Sequence, residues 1–294
     1  MAALLAGVTL TGCGVPHRSP AAPVPARDLT RAEDLRVSDA EQRLVKRCMN
    51  RQGFDYWEWH PLTLEESRPV GYVQDDVAWA REHGYGSRLD AKATWARLHN
   101  PNGAYRRSLS GEQGREYDKA LDGGPDTPVL TAEVPGGGTI RRKAGGCTGE
   151  AEERLYGDLK TWFRADKVAD NLRLLYVPEM MRDQLFRNAL RRWSDCMRQA
   201  SYPYDDPGQA QEAAREGTQG RTGKAFEKAF KAEKDIAVAD ADCARTTSLK
   251  SIGRAREAHY IQKLTDRYGD ELATHRRLQW QALARAQKLV GPRP

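Results

Sequence analysis

Two segments of this chain are near-copies of one another, and each carries a cysteine. Cys48-Met49-Asn50-Arg51-Gln52-Gly53-Phe54-Asp55-Tyr56 and Cys196-Met197-Arg198-Gln199-Ala200-Ser201-Tyr202-Pro203-Tyr204 share one pattern: Cys-Met, three residues, a small residue, an aromatic, one residue, then Tyr. The offset is 148 residues, about half of the 294. Each copy closes an apolar stretch of helical spacing and is followed by a second cysteine ahead of another helix, Cys147 and Cys243. Four cysteines allow three pairings. The duplication favours one bridge per repeat, Cys48–Cys147 and Cys196–Cys243. On the loop-entropy model such bridges contribute about 4–5 kcal/mol each, a large share of a domain's net stability. The competing reading is four reduced, buried thiols; C-x-x-C spacing is absent, which argues against zinc.

Helical signals dominate the rest. Ser38-Asp39-Ala40-Glu41 reads as a capping box opening a helix that runs through Leu44 and Cys48 and stops at Gly53. A second box, Ser110 to Gln113, opens a helix ended by Gly123-Gly124. Leu155, Leu159, Trp162 and Phe163 predict a third helix reaching Leu175. Pro178 suits a first helical turn, and Met181, Leu185, Ala189, Trp193 and Cys196 form one stripe. Phe226, Phe230 and Ala237 begin the helix that carries Cys243. Residues 254–290 read as one amphipathic helix. Between them, residues 122–146 and 217–223 are glycine-rich; the first is a long loop or an irregular hairpin. The expectation is an all-α protein of two diverged helical repeats, residues 36–176 and 177–294, each stapled by one disulfide, with a long C-terminal helix.

The fifth cysteine, Cys13, follows the uncharged stretch MAALLAGVTLTG and precedes the proline-rich GVPHRSPAAPVPAR. Leu10-Thr11-Gly12-Cys13 resembles the lipobox of bacterial lipoproteins, and the Ala/Arg-rich composition is similar to that of actinobacterial-type members. The resemblance implies that residues 1–12 are a signal peptide and that Cys13 carries a diacylglycerol with palmitate-type acyl chains. Residues 13–35 would then be the lipidated cysteine and a tether, whose proline-rich part, Gly14 to Arg27, would in polyproline geometry span roughly 40 Å at about 3 Å per residue. The remainder resembles secreted helical proteins. Export would also provide the oxidising compartment that the disulfides need.

Composition excludes several classes. No apolar run approaches the roughly 18 residues of a membrane-spanning helix. Seven Trp, eleven Tyr and five Phe argue against a fully disordered chain. The net charge of +6 is scattered among acids rather than gathered in one motif, so nucleic acid is not an expected partner. The six histidines never pair at i, i+4, and no phosphate loop or nucleophile elbow occurs. No cofactor or metal is implied, and His275, on the apolar stripe of the last helix, reads as a packing residue.

The aromatic-rich segment from Tyr56 to Gly86 has no counterpart in the second repeat. Its Trp57, Trp59, Tyr72, Trp79 and Tyr85 form the candidate ligand surface, able to stack on sugar rings or hold a peptide. The preferred reading of these five is structural: they fill the core around the first disulfide. The sequence thus predicts a non-enzymatic, lipid-anchored extracytoplasmic protein that binds or scaffolds an envelope protein or wall polymer. The alternative is a cell-wall hydrolase using Asp75 and Asp76, although carboxylates adjacent in sequence usually point apart. A transporter-associated substrate-binding protein is the third, and would require many strands.

Overall fold

The computed structural model describes residues 27–292; the signal peptide, Cys13 and the tether up to residue 26 lie outside them, and residues 31–35, expected in the tether, belong to the first helix. Helix α1 (Arg31–Arg51) begins earlier than the Ser38 signal. Thr30 accepts from the Glu33 N–H while Glu33 reaches back to the Thr30 N–H, so Thr30 is the cap and Ser38 is an exposed residue inside the helix. Four short helices follow: α2 (Val77–His83), α3 (Ser87–Leu98), α4 (Pro101–Ser108) and α5 (Gly111–Asp122), the last with the Ser110–Gln113 box in place.

The glycine-rich stretch that follows forms a hairpin. Strands β1 (Val129–Glu133) and β2 (Thr139–Lys143) pair antiparallel, with Ala132 opposite Ile140. Gly136, Gly137 and Gly138 turn the chain at φ of 90–97°, which side chains strongly disfavour. They form the whole sheet among the described residues.

The third predicted helix is three: α6 (Gly146–Tyr156), α7 (Leu159–Asn171) and α8 (Arg173–Arg182). Gly157 at φ 91° ends α6, and Asp158 caps α7 by accepting from the Thr161 N–H. Pro178 lies inside α8 rather than in its first turn. A further break at Asp183 starts α9 (Gln184–Gln199) and corrects the start of the expected stripe: Met181 and Leu185 are exposed, while Ala189 and Trp193 face the core as expected, joined by Phe186 and Met197, with Cys196 packed against it. Then come α10 (Pro207–Thr218), α11 (Gly223–Thr246), α12 (Leu249–Gln262) and α13 (Thr265–Ala286). The single helix expected from 254 to 290 therefore bends at Lys263–Leu264; α13 remains long, about 33 Å at about 1.5 Å per residue. Its buried face is Leu278, Ala282, Leu283 and Ala286. His275 stacks on Trp162, rings 5.3 Å apart.

Both disulfides form as paired by the repeat, Cys48–Cys147 and Cys196–Cys243. Each belongs to its own apolar core. The first core joins Leu44 and Met49 of α1, Tyr117 of α5, Ala151 and Leu155 of α6, and Leu283 of α13. The second joins Phe186, Trp193 and Met197 of α9, Ala210 of α10, Ala237 and Ala241 of α11, and Leu249 of α12 with Ala80 and Tyr85. The cores are not the two halves of the chain, because α13 packs into the first and α2 against α11 in the second. That exchange explains the bend after α12: the chain must leave one core for the other.

Candidate functional site: a cleft over the aromatic segment

The five aromatics singled out by the sequence separate into four places. Trp57 is 39% exposed; its backbone N–H donates to the Asn102 side chain at 2.8 Å and its ring meets Tyr105 edge-on. Trp59 is half-buried, donating its backbone N–H to Gln42 and its indole N–H to the Ala96 carbonyl. Tyr72 lies by α10, beside Gly208, its hydroxyl raised by burial and by the Asp206 carboxylate. Only Trp79 and Tyr85 come together. None of the five belongs to the core around the first disulfide, which corrects that expectation; Tyr85 packs into the second.

The reason is one helix face. Along α11, Glu233, Ala237, Asp240 and Ala244 recur at helical spacing and are all buried. Glu233 accepts the backbone N–H groups of Tyr85 and Ser87, and Asp240 accepts the Tyr85 hydroxyl at 2.8 Å and the Trp193 indole N–H at 2.9 Å. Buried carboxylates require such donors. The loop after α2 is therefore clamped to α11, and Gly84 lets it approach. A Cβ there would stand 2.7 Å from the Glu233 Oε1 at a φ of +62°.

Clamping this loop shapes a cleft of about 350 Å³. Trp79, 4% exposed, and Tyr85 form its base; Leu62, Val70 and Leu89 add apolar wall; Arg31 and Arg68 bring two guanidinium groups. The Arg68 guanidinium stands 5.4 Å over the Trp79 ring and donates to Asp76 at 2.7 Å. Asp76 also caps α2 by accepting from the Trp79 N–H, and these bonds, the Arg68 contact foremost, hold its carboxyl below the usual range. Asp75 pairs with Lys250. Arg31 makes a long contact to the Ser67 hydroxyl, 3.4 Å, and its charge also acts on Asp34 one turn on. Of the carboxylates in the cleft, Glu66 is held low mainly by Lys92, and burial raises Asp90.

The cleft combines an aromatic base, apolar walls and, in Arg31, a guanidinium without an ion-pair partner among the described residues, a lining able to hold a ligand with an apolar body and an anionic group. Sequence reasoning found Trp79 and Tyr85 but missed Arg31, Arg68 and Leu89. Their spacing follows no helical or strand period, so nothing short of the fold brings them together. A larger groove of about 490 Å³ runs past the Cys48–Cys147 bridge, but it is lined by flexible polar ends such as Gln52, Lys119 and Glu150. Among the described residues, no three His, Cys, Asp or Glu gather as a metal site, and no helix is long and apolar enough to cross a membrane. Compared with protein-family models, curated proteins and solved structures, the chain matches none.

Proposed function

We propose that this chain is a lipid-anchored extracytoplasmic protein of the cell envelope, a helical binding or scaffolding module held to the membrane through Cys13. The observation that carries this reading is the pair of disulfides, one in each core. Bridges of this kind persist in oxidising compartments, and the lipobox-like Leu10–Cys13 is consistent with export to one. The cleft over Trp79 serves as the ligand site in this reading. The hydrolase alternative gains nothing from the geometry, since Asp76 is committed to Arg68 and to the α2 cap and Asp75 to Lys250.

Non-reducing peptide mass mapping of the chain from its host's membrane fraction tests this. The expected result is an N-terminal Cys13 bearing a diacylglycerol, with both bridges intact; Cys13→Ser then releases the protein into the soluble fraction. A soluble chain retaining Met1 with five free thiols overturns it.

A further inference from the structure

We infer that the corner where α3 meets α4 docks on an anionic bilayer surface. The inner face of α3 is Leu89, Ala93 and Ala96, turned toward the cleft and the body of the protein. On the opposite face Ala91, Trp95 and Leu98, at i, i+4 and i+7, are all exposed, Trp95 by 56% and Leu98 by 64%. The Trp95 indole is fixed there, stacked on His99 with rings 4.3 Å apart. Trp57 is exposed at the same corner, bonded to Asn102 of α4.

Charge selects the partner. Arg88, Lys92 and Arg106 in this region are ion-paired, with Glu227, Glu66 and Asp118. Arg97 and Arg107, in the last turns of α3 and α4, are exposed and have no ion-pair partner among the described residues. Exposed Trp and Leu beside free guanidinium groups match the acyl–headgroup boundary of an anionic leaflet. Three large apolar side chains are too few for the roughly 800 Å² per partner of a standard protein interface. Seated at the acyl–headgroup boundary beside two guanidinium groups, they suffice for reversible association with an anionic leaflet.

The inference deepens the envelope reading without needing acylation.

The test uses the full, oxidised chain carrying Cys13→Ser, so that its outcome is separate from that of the anchor. The probe is vesicles of phosphatidylglycerol and phosphatidylcholine in equal parts. The chain is expected to co-sediment with them, and brominated acyl chains should quench part of the tryptophan emission, a quench reduced in Trp95→Phe. Trp95→Ala with Leu98→Ala should weaken partitioning by roughly tenfold or more, and Arg97→Gln with Arg107→Gln by roughly thirtyfold. Leu185→Ala, equally exposed on α9, should change nothing. All these sites are on the surface, and matching circular dichroism confirms each variant's fold. Absence of vesicle binding, equal binding to phosphatidylcholine alone, or undiminished binding by the Trp95/Leu98 variant overturns the inference. So does capture of an acidic protein or wall polymer without vesicle binding.

Discussion

At the scale of single residues, Asp240 is a carboxyl whose chemistry the fold alters strongly. It is wholly buried on α11, and burial pushes its carboxyl up to about 7, against the opposing pull of the Tyr85 and Trp193 hydrogen bonds. A carboxyl whose folded value lies above its unfolded one binds the proton more tightly in the folded state. Its contribution to stability is complete below an unfolded value of about 3.8 and is lost as pH rises through about 7. Glu41, pushed up to about 7 chiefly by burial and also by Glu152, falls in the same window from the first core. Asp240→Asn should therefore gain melting temperature relative to the parent as pH rises from about 4 to about 7, leaving the share that belongs to Glu41. A difference in melting temperature that stays flat with pH would rule this out. Nothing local marks Asp240: Asp242, two residues on, is exposed and paired with Arg245. Helical phase against Tyr85 and Trp193 decides between them.

At the scale of elements, the duplicated motif is a duplicated helix end. In α1 the Gly53 N–H donates to the Asn50 carbonyl and the Phe54 N–H to that of Met49; in α9 Ser201 and Tyr202 repeat this with Arg198 and Met197. The turning residue is left-handed in both, Gly53 at φ 84° and Ser201 at φ 70°. Both methionines are fully buried, each in its own core. The small residue of the motif is thus the position just past the helix, where glycine is favoured. Gly53→Ala, with nothing within 4 Å of the added Cβ, should cost about 1 kcal/mol through backbone strain alone. Ser201→Gly should stabilise by about 0.5–1 kcal/mol. Denaturant melts of the two variants check both signs, and Ser201→Gly failing to stabilise would show that the serine conformation carries no strain. Helix ends were readable in the sequence at Gly53, Ser110 and Gly123. The breaks at Gly157–Asp158 and Asp183, although locally capped, were hidden by the apolar periodicity that runs across them, and the bend at Leu264 carries no side-chain cap.

At the scale of the molecule, the two cores exchange elements. The first depends on Ala282, Leu283 and Ala286 from α13, and the guanidinium groups of Arg36 and Arg43 on α1 bind the carbonyls of Val290 and Leu289. The second depends on Ala80 and Tyr85 from the first half. Expressed separately, residues 27–176 and 177–292 should each lose helix content and cooperative melting, and mixing them should restore both. Two halves that melt cooperatively alone would contradict this. The contrast with the disulfides is instructive: each bridge stays within one half of the chain, while each core crosses between halves.

The sequence alone determined the helical class, the pairing of the cysteines and the chemistry of several helix ends, because periodicity, duplication and capping act over a few residues. The tertiary structure alone decided which core receives α13 and which receives Tyr85, and hence where the cleft lies. The physical reason is that burying apolar surface is non-directional. An amphipathic helix specifies that one face must be covered, while the covering partner follows from shape and from buried groups such as Glu233 and Asp240, which accept only donors that the fold brings to them.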